Sequence, residues 1–392
     1  MDLIIGKGDV WEGEGARLAR KAIRITGRRI AALEDEERSE VTPPAEKVID
    51  AAGMTVIPGL IDCHVHLTLD GSANAREDYG KDSDLVVALK AVASARDTLR
   101  AGVTTVRDMG CREPLAVPLR EAIDEDWISG PRLLVSGPAL THAGGPGMFF
   151  GAPVKGPEEA RRVVDRLVAA GVDQIKLITG GGGVDPHSVV LTREEIKAAV
   201  EAAHAGGRRA TTHAHGRDAM LNAIDGGIDC IEHGSFLDHE IASRMKDRNI
   251  HLVVTFPPRT KAERERLEES PSKVSYSRLF ESFRLAREYG LTIAAGTDCG
   301  HNSVAHNPLI TELEYFAEGG MQPWEAIRSA TQTAAEVLGI EDEVGVIAVG
   351  KQADLVIVDG NPFDDIQQLH KVHTVIRRGK VVWQRGGEVV SA

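Results

Sequence analysis

His64 and His66 are separated by one residue, Val65, and follow the apolar run Pro58-Gly59-Leu60-Ile61. In a strand, residues two apart point to the same side. Two imidazoles placed in this way can grip one metal ion. An isolated His-x-His pair is a weak signal, since most such pairs are incidental. Here the pattern recurs. His213-Ala214-His215 closes RRATTHAHG, Glu232-His233-Gly234 closes GIDCIEHGS, and Thr297-Asp298 closes LTIAAGTDCG. Histidine is a borderline ligand for zinc, and a carboxylate can complete such a site. Lys176 lies among aliphatic residues in VDQIKLITG. An ammonium buried there without a partner tends to become neutral. A neutral amine can take up carbon dioxide, and the resulting carbamate can bridge two metals. The competing reading is a lysine that snorkels to solvent or pairs with Asp173 or Asp185.

These residues need elements that bring them together. Eight short apolar runs alternate with mostly helical stretches: VIPGLIDCHVHL, AGVTTVRDMG, RLLVSGPAL, VDQIKLITG, RRATTHAHG, GIDCIEHGS, IHLVVTFPP and LTIAAGTDCG. That count suits a (β/α)8 TIM barrel, whose active groups sit at the C-terminal strand ends. A doubly wound sheet would read similarly. Two helices are expected with defined ends. Pro157, Glu158 and Glu159 suit a first turn before the apolar face Val163, Val164, Leu167 and Val168, and Gly171 suits its stop. Thr192 and Glu195 form a capping-box pattern. The first and last fifty residues are rich in β-branched residues and glycine, which predicts one small β-sandwich from both termini. The expected division is 1–57 and 339–392 for the β-sandwich and 58–338 for the α/β barrel.

The chain has 392 residues and a net charge of -13, which argues against nucleic acid or an anionic membrane as partner. No signal-like start and no membrane-length apolar run is read. Cys63, Cys111, Cys230 and Cys299 form no CxxC pair, so four reduced cysteines and a cytoplasmic location are expected. His204, His239, His251, His370 and His373 read as surface or packing residues. His187, His301 and His306 fall in loops near strand ends, where either role is open. His142 faces the expected active side.

With PGLIDCHVH, IKLITGGG, THAHG, IEHG and GTD in this order, and GVIAVGKQADLVIVDGNP near the end, the chain resembles the amidohydrolase superfamily. The resemblance spans essentially the whole chain. It implies the barrel, the terminal β-sandwich and two divalent metal ions, zinc by preference. It implies that His64, His66 and Asp298 bind the buried ion, and that His213 and His233 bind the exposed one. Lys176 would bridge them as its N6-carboxylated form, and His215 would stand behind the ligands or touch substrate. IKLITGGG with THAHG looks most like the branch of prolidase-like and arginine- or lysine-releasing carboxypeptidases, with imidazolonepropionase related. The chain departs in one loop, THAGGPGMFFG, where that branch carries a TGGHG-like stretch.

The implied activity is hydrolysis of an amide bond to an amino acid in a dipeptide, an N-acyl or an N-carbamoyl amino acid. A bridging hydroxide would attack, and Asp298 would move the proton to the leaving nitrogen. His142, Tyr276, Arg217 and Arg259 are candidates to hold a substrate carboxylate. Other small-molecule readings are a cyclic amide hydrolase like imidazolonepropionase, which Lys176 disfavours, or a lactone, carbamate, organophosphate or mycotoxin hydrolase. A non-catalytic scaffold is the reading from another class. A homo-oligomer is expected.

Overall fold

The computed structural model describes residues 2–35, 47–113, 115–182, 185–256, 265, 274–301 and 303–387. Arg259, singled out above, lies outside them.

Both ends of the chain feed one sheet. Its strands are β1 (Asp2–Gly6), β2 (Asp9–Val10), β3 (Ala19–Thr26), β4 (Arg29–Asp35), β5 (Lys47–Asp50), β6 (Met54–Pro58) and, after the barrel, β17 (Leu355–Asp359), β18 (Val372–Arg377) and β19 (Lys380–Gln384). The order is β19-β18-β17-β6-β2-β3-β1-β5, with β4 added on β3. Ile5, Ile23, Ile25, Val56, Leu355, Ile357 and Ile376 form its interior. The antiparallel pair β6–β17 joins Ile57 to Val356 and Thr55 to Val358, so neither end of the chain completes this layer alone.

The barrel strands follow as β7 (Leu60–Val65), β8 (Val103–Asp108), β9 (Arg132–Val135), β10 (Ala139–Thr141), β11 (Gly151–Pro153), β12 (Gln174–Ile178), β13 (Arg209–Ala214), β14 (Cys230–His233), β15 (His251–Val254) and β16 (Ile293–Ala295). All pair in parallel as β7-β8-β9 and β11-β10-β12-β13-β14-β15-β16. The third run is split. Gly137 takes φ +64 and Pro138 cannot donate a backbone hydrogen bond, so β9 stays with β8 while β10 turns to β12. The loop THAGGPGMFFG contains β11, an extra strand beside β10 that composition did not foretell. These pieces make the eight barrel positions, and the fold is a TIM barrel with a β-sandwich domain.

Closure between the last and first strands is local and tight. Asp298 N donates to His64 O at 2.8 Å, and His66 N donates to Cys299 O at 2.9 Å. A Cβ on Gly296 would meet His64 Cβ at 2.8 Å, and one on Gly300 (φ +97) would meet His66 O at 2.2 Å. Glycine at both places lets the end of the eighth strand lie against the end of the first. Both expected helices form. Pro157–Ala169 starts on its proline and buries Ala160, Val164 and Leu167, with Val163 and Val168 half-buried. Arg193–Ala205 carries the Thr192–Glu195 capping box. The four cysteines are buried and unpaired. Among the described residues no helix is long and apolar enough to cross a membrane.

Candidate metal centre

The end of β7 supplies the first donor set. Asp62, His64 and His66 share one side of the strand by the two-residue period. Asp62 is a brace: it accepts from Thr297 Oγ1 at 2.7 Å, Thr297 N at 3.1 Å and His64 N at 3.0 Å. That ties the first strand to the residue before Asp298. Asp298 Oδ1 then lies 3.4 Å from His64 Nε2 and 3.3 Å from His66 Nε2. One donor atom each from His64, His66 and Asp298 falls within 4.8 Å of the others. Asp298 takes φ +54, a left-handed conformation uncommon for a residue with a side chain and concentrated at functional sites.

Both histidines are oriented from behind. His64 Nδ1 is 2.8 Å from Glu232 Oε2, and His66 Nδ1 is 3.2 Å from the Gly110 carbonyl. Glu232 is fully buried and also accepts from Arg107 Nη2 at 2.7 Å; Arg107 Nε donates to the Cys63 carbonyl at 2.6 Å. Burial alone would raise the Glu232 carboxyl, but Arg107 and His64 outweigh it and hold it below the ordinary carboxylate range. A carboxylate behind a ligating histidine fixes its tautomer and presents the other ring nitrogen to the metal. Glu232 therefore does more than precede His233 in IEHG.

The second donor set comes from β13 and β14. The register Ala214↔His233 puts the strand ends level. His213, His215 and His233 each place one ring nitrogen within 4.8 Å of the others. His233 takes φ +73, its Nδ1 is 2.7 Å from Thr255 Oγ1, and its buried Nε2 has no hydrogen-bond partner. His215 stacks on His233 with centroids 4.8 Å apart, and its Nδ1 is 2.7 Å from Ser235 Oγ. Desolvation holds His213 and His233 well below the ordinary imidazole value, and His64 and His215 at about 4, so the rings are neutral donors at pH 7.

Lys176 lies on β12 opposite Thr211. It is 3% exposed, and its Nζ has no hydrogen-bond partner. Burial lowers the amine to about 8. Its charge bears on His64 in one donor set and on His213 in the other. It neither snorkels nor pairs with Asp173 or Asp185. Asp173 is engaged by Arg120 at 2.8 Å, and Asp185 accepts from His187 N at 3.3 Å.

These groups open into one cavity of about 700 Å³, lined among others by Phe149, Phe150, Ile178, Val274, Leu279 and Val304. His64, His66, Lys176, His213, His215, His233 and Asp298 all line it. Three expected substrate contacts do not. His142 is exposed, with Nδ1 3.0 Å from the Ala143 carbonyl, because its loop turns outward before β11. Tyr276 is drawn into an aromatic cluster, 5.5 Å from Tyr315 and 6.2 Å from Phe256. Arg217 is paired on the surface with Asp238 and Glu240. His301, left open above, belongs to the site. Its Nε2 is 3.2 Å from Asp298 Oδ1, and its ring lies 4.5 Å from that of His66. Its position three residues after the aspartate was the signal available.

The residues fit divalent cations. With Nδ1 of His66 donating to a carbonyl, its Nε2 faces the Asp298 carboxylate as a lone pair. Two such acceptors at 3.3 Å call for a cation between them. The orphaned His233 Nε2 and Lys176 Nζ, both buried, are open donor atoms in the same cavity.

Comparison with known proteins agrees with this geometry. Residues 55–382 match the model of the amidohydrolase family. The chain is 29% identical to the ochratoxinase of Aspergillus niger, covering 98% of this chain and 85% of the relative. A solved structure of a Xaa-Pro dipeptidase with methionine bound in the active site superposes with a TM-score of 0.85 at 30% identity, covering 98% of this chain and 100% of the other. A prolidase complexed with N-methylphosphonate-L-proline superposes with a TM-score of 0.86 at 28% identity, with the same coverage. With a family match over most of its length and donor sets at the matching strand ends, the chain belongs to the amidohydrolase family of metal-dependent hydrolases.

Proposed function

We propose that the protein hydrolyses the amide bond to an amino acid, in a dipeptide or an N-acyl or N-carbamoyl amino acid, at a centre of two divalent ions. His64, His66 and Asp298 would hold one ion, and His213 and His233 the other. Lys176 would join them as its carbamate. The observation that carries this reading is the pairing of two donor sets around a buried amine without a protein partner. In forming the carbamate, the unprotonated Nζ adds to the carbon of carbon dioxide. A nitrogen–carbon bond forms and one proton leaves to solvent. The product is an anion with two oxygens, where the free amine offers one donor atom. Imidazole and carboxylate donors suit zinc.

When bound, the ions would supply Lewis acidity and a water acidic enough to react near neutral pH. The remaining work falls to the chain's own groups. Asp298 Oδ1 takes the proton of the attacking water and delivers it to the leaving nitrogen. His301 Nε2 holds that oxygen in place at 3.2 Å. Glu232 and Gly110 keep His64 and His66 in the orientation that faces it. The aromatic wall formed by Phe149 and Phe150 excludes water from one side of the cavity. The names of the dipeptidase and prolidase neighbours support the substrate class.

A screen of zinc-loaded protein against dipeptides and N-acyl amino acids tests this function. Release of a free amino acid from members of that library is expected. A flat response across it, with turnover of lactones instead, overturns the substrate class.

A further inference from the structure

A substrate of this class carries a carboxylate, and the cavity must offer it a counter-charge. Among the described residues lining the cavity, the cationic side chains are Arg76 and Lys176. Lys176 is buried among the metal donors. The lining histidines 64, 66, 213, 215 and 233 belong to the two donor sets, and His301 is engaged by Asp298. Arg76 differs in each respect. It is exposed at the cavity wall, on the helix Ala75–Lys81 that follows the first barrel strand.

Its guanidinium is held by specific contacts. Cζ lies 5.5 Å over the Phe149 ring, and Nε donates to His301 Nδ1 at 3.2 Å. The other ring nitrogen of His301, Nε2, lies 3.2 Å from Asp298 Oδ1. The helix itself is anchored. Tyr79 is 2% exposed, packs edge-on to Phe149 at 6.0 Å, and accepts from Arg112 N at 2.8 Å. A guanidinium oriented by a stacked ring and a fixed Nε bond is suited to bidentate recognition of a planar carboxylate.

We infer that Arg76 receives the carboxylate of the substrate's amino-acid part, with Phe149, Phe150 and Val304 lining the space for an apolar side chain beside it. Arg76 thereby selects substrates with a free carboxylate over neutral caps of the same shape. The inference rests on the amide-hydrolase reading for the identity of the substrate but not for the ligand preference itself. Arg76 is a binding residue and, through His301, a positioning residue for Asp298.

Calorimetric titration of zinc-loaded protein with 3-phenylpropanoate and with 3-phenylpropanamide, neither of which contains an amide bond to an amino acid, tests this. The two probes differ only in the charge of the cap. Wild type is expected to bind the acid on the order of 10- to 100-fold more tightly, the range for a charge-assisted pair. Arg76→Met is expected to bring that ratio near one, and Arg76→Lys to retain part of it. Both ligands are measured on one preparation, so partial loss of folded protein cancels from the ratio. No measurable acid binding or no preference in wild type overturns the inference. So does an undiminished preference in Arg76→Met, or equal weakening of both ligands, which would assign Arg76 to structure alone. Binding is read without turnover. A preference that depends on Arg76 in a protein that cleaves no amide would therefore count against the proposed function and not against Arg76.

Discussion

Glu232 shows how much of the site rests on a residue that touches neither substrate nor cavity. It joins Arg107 to His64 in the barrel interior, and all three are buried. Glu232→Gln would leave Arg107 as an uncompensated charge and let the His64 ring turn. Breaking a buried ion pair costs about 3–5 kcal/mol, and losing the group behind a ligating histidine costs about 10- to 100-fold in metal affinity. Urea unfolding and competitive chelation should show both losses together. A second buried carboxyl, Glu312, has the opposite character. It accepts from Phe256 N at 2.7 Å, while its Oε1 is buried without a partner. Desolvation raises it well above its ordinary 4.5. The folded state thus binds this proton more tightly than the unfolded chain. The contribution is full below about pH 4.5 and is lost as pH rises towards the raised folded value. Glu312→Gln keeps an acceptor for Phe256 N and removes the titration. Its advantage in Tm over wild type should therefore grow between pH 5 and pH 8, and a constant difference would refute this assignment. At this scale the sequence was most informative about ligand-type residues at strand ends. It was silent on pairings across the barrel. Nothing local marks Glu232 as a partner of Arg107, which is 125 residues away. Nor does anything local show that Tyr276 packs with Tyr315 rather than facing the cavity.

At the scale of elements, Glu195 joins two helices. Its Oε2 accepts from Thr192 N at 2.8 Å within its own capping box, and its Oε1 accepts from Gly156 N at 2.7 Å at the start of the preceding helix Pro157–Ala169. Thr192→Ala should cost about 1 kcal/mol, as for an ordinary N-cap. Glu195→Ala removes hydrogen bonds to a charged acceptor at two helix starts and should cost about 3 kcal/mol. Equal effects in chemical denaturation would show that the link to Gly156 contributes nothing. The capping box was legible because its spacing is local; the second bond was not, because it depends on how two helices pack. The strands divide in the same way. Eight apolar runs identified the barrel positions, but Gly137 and Pro138 break the third, and β11 arises only because the following loop can fold back beside β10. Gly296 and Gly300 lie within the eighth apolar run, and only the close approach to His64 and His66 explains why both are glycine.

The whole molecule places its chemistry at one mouth of the barrel and uses both chain ends to build the adjoining β-sandwich. Since β6 runs directly into β7, the strand that joins β17 in the β-sandwich is continuous with the strand that carries His64 and His66. The pattern of both ends was visible in composition, whereas the antiparallel pairing of β6 with β17 needed the structure. The central claim is that these parts assemble a two-ion hydrolytic centre joined through Lys176. Metal content per chain, measured by plasma mass spectrometry alongside amide hydrolysis on wild type and Lys176→Ala, tests it most directly. Wild type should hold two divalent ions per chain, and Lys176→Ala should hold one or fewer and lose turnover. Two tightly held ions with wild-type turnover in Lys176→Ala would contradict the bridging role and with it the proposed centre.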